Sequence, residues 1–239
     1  MNPIPAPPTR RAQGAIYRWA VRSILGLALY GLILFGSAGR LDWIWGWVFM
    51  GILLILMVAP PVLLAREHPD LLDERGKSLR QAGAKRWDRV LSVAVGGLMI
   101  CEWLLAGFDV RFGWTKNLPP GIHLVGLGAV LLGHGIFLWA MASNPFFTSL
   151  VRIQVERGHR VETGGPYRFL RHPGYAGSIL TQLATPCLLG SLWALAPGFL
   201  AAVLFVLRTS LEDRTLRQEL PGYDDFAART KWRLLPGVW

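Results

Sequence analysis

Thr163-Gly-Gly-Pro-Tyr-Arg-Phe-Leu-Arg-His-Pro-Gly-Tyr-Ala-Gly177 is the stretch around which the chain is organised, and we call it the central turn. Four Gly, two Pro, two Tyr, two Arg and one His fall within it, directly before an apolar run of membrane-helix character. Gly and Pro at this density indicate tight turns and close backbone approach, and Pro173 suits the first turn of a helix. Polar and cationic side chains at the mouth of a membrane helix favour a ligand-binding role. The alternative is a juxtamembrane loop whose arginines only meet lipid phosphate.

Composition places the chain among integral membrane proteins. Of its 239 residues, 52% are hydrophobic and 17% are charged, and the mean hydropathy is +0.36. A soluble domain has about a quarter of its residues charged. We therefore predict an all-α fold, a polytopic membrane helix bundle. Its apolar segments are 17–35, 43–65, 90–108, 122–141, 175–189 and 192–207.

The first four apolar segments approach the roughly 20 residues that cross a hydrocarbon core. The last two are shorter, meet at Gly190-Ser191 and predict a helical hairpin. We expect about six transmembrane helices, or five if this hairpin does not fully cross. Two polar residues lie inside the spans: His134 is expected to form a helix–helix hydrogen bond, and Glu102 to reach water at the outer end. Glycines at 126, 128 and 133 indicate close helix packing.

Positive charge is distributed unevenly between the predicted loops. The net charge is +10, and only three of the 25 Lys and Arg residues fall on one side of the predicted membrane: Arg40, Arg111 and Lys116. The positive-inside rule then places both termini in the cytoplasm, and the plasma (inner) membrane is the location if the source is bacterial. Tryptophans 43, 45, 47 and 114 fall at the opposite interface, as an aromatic belt does. Because the basic residues flank apolar segments and form no soluble groove, we expect no nucleic-acid partner.

The two cysteines indicate neither a disulfide framework nor a zinc site. Cys101 and Cys187 lie far apart within apolar runs, without Cys or His at metal-ligand spacing. We therefore predict no metal.

Two sequence blocks resemble a known family. The run from Gly165 to Gly177 resembles the G-P-Y-x-x-x-R-H-P-x-Y-x-G signature of the isoprenylcysteine carboxyl methyltransferase (ICMT) family, to which phospholipid methyltransferases and sterol reductases are related through their C-terminal halves. The second block resembles R-x-x-x-E-E-x-x-L, G-x-x-Y and R-x-x-P in that order. Its residues here are Arg208, Glu212, Asp213 and Leu216, then Pro221-Gly-Tyr223, and the stretch from Arg229 to Pro236, with Asp in place of the second Glu.

The resemblance implies an S-adenosylmethionine-dependent methyltransferase and assigns roles to residues of both blocks. The cofactor-binding residues that it implies are Gly165, Tyr167, Arg171, His172, Pro173, Gly177, Glu212 and Asp213. Such a cofactor needs stacking faces, partners for ring nitrogens and backbone N–H groups, which these residue types offer. Neither acid has a metal-ligand constellation around it, and methyl transfer from a sulfonium needs no metal.

Arg208 and Glu212 are the candidate catalytic residues. An arginine near the end of an apolar span can hold a substrate carboxylate in bidentate fashion, or it can extend to lipid phosphate. Glu212 can hold the cofactor's ammonium or sulfonium, act as a base for an amine or hydroxyl acceptor, or pair with Arg208 on its own helix face. A carboxylate acceptor needs no base, only alignment and exclusion of water. We place Asn144, Tyr223 and Arg229 at the substrate side of the site.

The predicted organisation has three parts: a disordered cytoplasmic tail (1–16), N-terminal transmembrane helices (17–142), and a C-terminal catalytic region with the hairpin and a cytoplasmic cap (143–239). The segment 68–75 is predicted to lie helically on the membrane surface. The predicted function is carboxyl methylation of a lipophilic acceptor, an isoprenoid-linked carboxylate on a small molecule or protein. The alternatives are a phospholipid amine N-methyltransferase, an NADPH-dependent sterol-reductase-like enzyme, and a non-catalytic lipid- or partner-binding membrane protein.

Overall fold

The computed structural model describes residues 10–67, Arg75 and 81–239, and these form a bundle of helices without strands. Two short 3-10 helices, Val155–Arg157 and Gly165–Arg168, lie in the connection before α5. The α-helices are α1 (Arg10–Ala38), α2 (Ile44–Glu67), α3 (Arg86–Phe112), α4 (Gly121–Ser143), α5 (Pro173–Leu189), α6 (Leu195–Glu219) and α7 (Tyr223–Arg229). The predicted all-α membrane bundle is confirmed.

Five of these helices are long and apolar enough to cross a membrane. Their candidate spans are Val21–Ala38, Ile44–Val62, Arg86–Phe112, Gly121–Ser143 and Leu195–Glu219. The sixth predicted segment forms α5, which has 17 residues. At about 1.5 Å per residue this helix is roughly 25 Å long, shorter than a 30 Å hydrocarbon core. It nevertheless pairs with α6 as the predicted hairpin, with Gly190 in the left-handed conformation (φ 76°) at its end.

The predicted disordered tail (1–16) overlaps helix α1. Helix α1 already begins at Arg10, so the prediction of disorder is wrong for residues 10–16, while residues 1–9 lie outside the described residues. The physical reason is that the proline-rich stretch ends at Pro8 and no further proline occurs before Pro60. The predicted surface helix at 68–75 also lies outside the described residues, apart from Arg75.

The chain leaves helical geometry directly after the fourth span. Helix α4 ends at Ser143, and Asn144 has extended backbone (φ −124°, ψ 107°). The Asn144 side chain accepts a hydrogen bond from the Phe146 N–H at 2.8 Å, which stabilises the turn that follows. This turn leads the chain back over the end of the bundle, and we call that end, marked by Asp88, Ser143, His172 and Arg208, the site end.

Helices α4 and α5 make the most extensive helix–helix contact of the bundle. A Cβ atom on Gly177 would lie 2.3 Å from the Gly133 carbonyl oxygen, and one on Gly126 would lie 2.3 Å from the Leu188 nitrogen. Only hydrogen fits at such distances, so Gly126 and Gly133 are packing glycines, as predicted. Gly128 instead has open space around it.

We expect Gly177→Ala to destabilise the protein, because the added methyl group meets backbone that cannot rotate away. The helices must separate, and overpacking of this kind costs typically about 1–3 kcal/mol. Gly128→Ala is the matched control and should be neutral or slightly stabilising, since alanine favours a helix. Thermal unfolding of the two variants in detergent checks this. Equal midpoints for both variants would contradict the packing argument.

The opposite end of the bundle is closed by a buried carboxylate. Asp109, at the end of α3, accepts hydrogen bonds from Thr115 N (2.6 Å) and from Ser191 Oγ (2.6 Å). These bonds join the α3–α4 connection to the α5–α6 connection. Trp114 and Trp193 meet edge to face here, at the end where the sequence predicts an aromatic belt.

Glu102 is not at a water interface, contrary to the expectation from the sequence. Its side chain is completely buried between helices, where it accepts a hydrogen bond from Gln182 Nε2 at 3.1 Å. Helix α3 ends only at Phe112, ten residues further along. His134, expected to bond between helices, has its Nδ1 2.9 Å from the Val130 carbonyl oxygen of its own helix.

Candidate active site

A cavity of about 310 Å³ lies at the site end, enclosed by α4, the connection that follows it, the central turn, α5, α6 and α7. Apolar rings form part of its wall: Phe137, Phe146, Phe147, Phe205 and Phe226. Polar groups from both sequence blocks converge on the same space. The connection that follows α4 leads the chain into the central turn, which lies over the site ends of α5 and α6.

Asp213 of α6 is the centre of a buried ionic network. Its carboxylate has no exposed surface and accepts hydrogen bonds from Arg171 Nε (2.8 Å), Arg233 Nε (3.0 Å) and the Tyr223 hydroxyl (3.0 Å). His172 Nε2 lies 3.3 Å from the same carboxylate. Charge-assisted bonds of this kind are stronger than neutral ones, so Asp213 joins the central turn to α6 and to the residues after α7 (230–239), which we call the C-terminal segment.

The C-terminal segment is also held to the central turn through backbone. Arg171 N donates to the Trp232 carbonyl (2.9 Å), and His172 N donates to the Arg233 carbonyl (3.0 Å). Arg171 Nη1 additionally donates to the carbonyl oxygens of Thr230 and Lys231. The backbone N–H groups of Arg171 and His172, directly before α5, therefore have hydrogen-bond acceptors in the C-terminal segment. This segment closes one side of the cavity.

Arg208 is anchored by a buried carboxylate from another helix. Its Nε and Nη2 donate to Asp88 at 2.5 and 2.9 Å, and Nη2 also donates to the Ser149 carbonyl at 2.9 Å. Asp88 has no exposed surface. The guanidinium carbon lies 5.1 Å from the centre of the Tyr175 ring, and the side chain lines the cavity. None of these bonds to described residues uses Nη1.

Glu212 faces the cavity and is half-buried. It accepts a hydrogen bond from the Tyr175 hydroxyl. It forms no ion pair with Arg208, the alternative that the sequence left open, because Arg208 pairs with Asp88. On the neighbouring wall, Asn144 Nδ2 donates to the Tyr167 hydroxyl at 3.2 Å. Burial raises the pKa of Tyr167 and, together with the Asp213 carboxylate, that of Tyr223. Both phenols therefore stay protonated at neutral pH.

Arginines outnumber glutamates among the residues that line the cavity. Five arginines line it, against two glutamates, Glu162 and Glu212. The arginines are Arg75, Arg152, Arg160, Arg171 and Arg208. His159 also lines the cavity, and burial together with the neighbouring Arg152 and Arg157 lowers its pKa to about 4. Its imidazole is therefore neutral at physiological pH and adds no charge.

The structure brings most of the predicted site residues together and places the others near them. Lining the cavity are Asn144, Tyr167, Arg171, His172, Arg208, Glu212 and Tyr223. Not among its lining residues are Gly165, Pro173, Gly177, Asp213 and Arg229. The roles proposed for all of them stay predictions.

The residues outside the lining have identifiable structural positions. Gly165 has a positive φ (51°), and a Cβ there would lie 2.2 Å from Ser143 Oγ, so it packs against the end of α4. Pro173 opens α5, and Gly177 packs against α4 as described above. Arg229 is exposed on α7 and donates to the Asp225 carbonyl.

Three cavity features were not identified from the sequence. Asp88 is the partner of Arg208 and lies 120 positions away from it. Tyr175 contacts both candidate catalytic residues and belongs to the central turn, so the motif itself was the signal for it. Arg75 comes from a connection without a motif, and no local pattern indicates its place in the wall.

The described residues contain no group of three or more His, Cys, Asp or Glu side chains that could hold a metal ion. The polar groups of the cavity are instead arginines, phenols, two imidazoles, three aliphatic hydroxyls, one amide and two carboxylates. This donor set suits an organic ligand with both anionic and cationic groups.

Comparison with known proteins matches the part of the chain that builds this cavity. Residues 124–218 match the model of the isoprenylcysteine carboxyl methyltransferase family, a region that contains most of α4, the central turn, α5 and nearly all of α6. The chain is 36% identical over 69 residues to a probable protein-S-isoprenylcysteine O-methyltransferase of Oryza sativa subsp. japonica, covering 28% of this chain and 36% of the rice protein.

Two further relatives extend the similarity. Protein-S-isoprenylcysteine O-methyltransferase B of Arabidopsis thaliana is 28% identical over 106 residues, which are 44% of this chain and 51% of that protein. The uncharacterized protein YpbQ of Bacillus subtilis (strain 168) is 25% identical over 176 residues, 72% of this chain and 96% of YpbQ. The chain thus spans about a third to a half of the length of these plant relatives. Over residues 124–218, the chain is therefore similar to the isoprenylcysteine carboxyl methyltransferase family.

Proposed function

We propose that the protein is an integral membrane methyltransferase that uses S-adenosylmethionine to methylate the carboxylate of an isoprenoid-linked acceptor. The observation that carries the proposal is the cavity at the site end, where side chains of the central turn meet Arg208 and Glu212 of α6. The names of the rice and Arabidopsis relatives support the same reaction class.

The residues of the cavity fit this cofactor chemically. Its volume of about 310 Å³ lies within the range of small-molecule sites. Phe146 and Tyr175 offer faces for a purine, Asn144 offers an amide, and Glu212 offers a carboxylate for the ammonium and sulfonium groups. When bound, S-adenosylmethionine supplies the methyl group from a sulfonium that leaves as a neutral thioether.

A donor group in the wall favours an anionic acceptor over a phospholipid amine. Arg208 is paired with Asp88, but its Nη1 takes no part in that pair or in the bond to the Ser149 carbonyl, and this N–H group can bind a carboxylate and not an ammonium group. The exposed apolar surface of the spans provides contact for an isoprenoid chain in the bilayer, so that only the reacting end enters the cavity. The acceptor is thus a lipophilic carboxylate on a small molecule or on a protein.

In the proposed mechanism, the chain's own residues align the acceptor and keep water away. The acceptor carboxylate is already a nucleophile at neutral pH, so it needs no base, only alignment with the methyl group that the bound donor would supply. Arg208, held by Asp88, directs its remaining N–H group at this carboxylate. Glu212 complements the positive charge of the donor, and the Asp213 network keeps the cavity closed on the side of the C-terminal segment.

The proposed orientation has both termini and the site end in the cytoplasm. It is supported by the charge distribution, in which 22 of the 25 Lys and Arg residues lie on the proposed cytoplasmic side. The donor would then enter from the cytoplasm and the acceptor from the bilayer.

Calorimetric titration of the detergent-purified protein with S-adenosylhomocysteine tests the proposal. We expect saturable binding that Glu212→Gln weakens by roughly tenfold or more, because a hydrogen bond to a charged group is lost. Glu219→Gln is the matched control, since Glu219 pairs with Lys85 on the surface, and its affinity should equal the wild type. Absence of binding by folded wild type would refute the methyltransferase function.

Further assays distinguish the proposed function from its alternatives. Methyl transfer is measured with an S-farnesylated cysteine derivative and, separately, with phosphatidylethanolamine in mixed micelles. We expect methyl ester formation with the first acceptor only. Transfer to the phospholipid amine would identify an N-methyltransferase, and binding of NADPH instead of S-adenosylhomocysteine would identify a reductase-like protein.

A further inference from the structure

Arg75 occupies an aromatic corner of the cavity wall. Its Nη1 donates to the Phe147 carbonyl oxygen at 3.0 Å, and its guanidinium carbon lies 5.5 Å from the centre of the Phe147 ring and 6.0 Å from that of Phe137. These two rings pack edge to face with their centres 5.3 Å apart. The guanidinium is therefore held by one hydrogen bond and two ring faces, an arrangement that orients the group.

The charge of Arg75 is not balanced by a carboxylate among the residues that the structure describes. Arg208 pairs with Asp88, Arg171 with Asp213, and Arg152 with Glu156. Arg75 instead has a buried Nε that makes no hydrogen bond within the described part of the chain. Burial lowers the pKa of Arg75 to about 10, so the group stays charged at neutral pH. The side chain is half-buried, and a charge withdrawn this far from water is costly until an anion meets it.

The surroundings of Arg75 suit an anion with two oxygens. Phe147 also contacts the beginning of α5: a Cβ on Gly174 would lie 2.7 Å from its ring. Arg75 and Gly174 thus both contact Phe147, and both line the cavity. A guanidinium fork and a helix N-terminus each favour a carboxylate.

We propose that Arg75 binds the carboxylate group of a ligand in this cavity. The inference rests on the proposed function, which supplies two such groups: the methionine carboxylate of the methyl donor and the carboxylate of the acceptor. Arg75 belongs to the connection between α2 and α3, outside the region that matches the family model. This connection therefore contributes a specificity-determining residue to a site otherwise built from the C-terminal part.

Binding of matched ligand pairs to the full-length protein tests the inference. The donor pair is S-adenosylhomocysteine and its decarboxylated analogue, and the acceptor pair is N-acetyl-S-farnesylcysteine and its carboxamide. We expect wild type to prefer the carboxylate member of one pair, and Arg75→Gln to reduce that preference by roughly 10- to 100-fold. The pair that responds identifies which carboxylate Arg75 binds. Arg75→Lys should retain part of the preference, because it keeps the charge without the fork.

The control is Arg86→Gln, which removes the same charge from an exposed position at the start of α3 that does not line the cavity. It should leave both preferences unchanged. If wild type binds and Arg75→Gln keeps the wild-type preference in both pairs, the inference is overturned while the proposed function stands. If folded wild type binds none of the four compounds, the proposed function fails and the inference fails with it.

Discussion

We expect replacement of Asp213 by Asn to detach the C-terminal segment from the central turn. The carboxylate is fully buried and holds Arg171, Arg233 and Tyr223 at about 3 Å, so neutralising it leaves the buried Arg171 charge uncompensated. Removing one partner of a buried ion pair lowers the free energy of unfolding by about 3–5 kcal/mol. For a chain of this size that corresponds to a fall of about 6–20 °C in the unfolding midpoint.

Tryptophan fluorescence during heating, with binding of S-adenosylhomocysteine measured in parallel, checks this expectation. We expect binding to be lost, because Arg171 and His172 are positioned by the same carboxylate. Asp224→Asn is the matched control: its carboxylate is exposed and pairs with Arg217 at the surface, where an ion pair contributes about 1 kcal/mol or less. A midpoint for Asp213→Asn equal to that of the control would refute the structural role given to Asp213.

Removal of either partner of the Arg208–Asp88 pair is the second large effect. Arg208→Met leaves Asp88 buried without its cation, and Asp88→Leu leaves the guanidinium without its anion. Each single variant should lose about 3–5 kcal/mol of unfolding free energy and all methyl transfer. The exposed pair Lys85–Glu219 provides the control, since Lys85→Met removes a surface interaction that contributes about 1 kcal/mol or less.

The double variant Asp88→Leu/Arg208→Met separates stability from catalysis. Replacing both charges by apolar side chains removes the uncompensated charge, and we expect the unfolding midpoint to return close to that of wild type. Methyl transfer should stay absent, because the N–H group that we assign to the acceptor carboxylate is gone. If the double variant regains both stability and activity, Arg208 is only a structural residue and its catalytic assignment is wrong.

The membrane-spanning helices could be predicted from the sequence because hydrophobic length is a local property. Each apolar run near 20 residues becomes a long helix, since backbone groups in lipid must be satisfied within the segment. The end of α4 was predictable for the same reason, as Asn144 and Pro145 interrupt a helix locally. The number of spans was predicted from segment length alone, so the sequence left open whether α5, with 17 residues, crosses the membrane.

Only some of the residues that line the cavity could be predicted from the sequence. Tyr167, Arg171, His172, Arg208 and Glu212 were selected by their motifs, and all of them line the cavity. Asp213 stands beside Glu212 in the sequence, yet neighbouring helix residues point in directions about 100° apart. One therefore faces the cavity while the other faces the C-terminal segment.

The sequence by itself determined that the chain is a membrane helix bundle, where its spans lie and which turn carries the polar groups. Only the tertiary structure decided that Asp88 pairs with Arg208, that Asp213 joins the turn to the C-terminal segment, and that Arg75 enters the cavity wall. The physical reason is that these interactions join residues distant in sequence. Their partners are chosen by how the helices pack, and the low polarity of the interior makes each charge depend on the partner that packing provides.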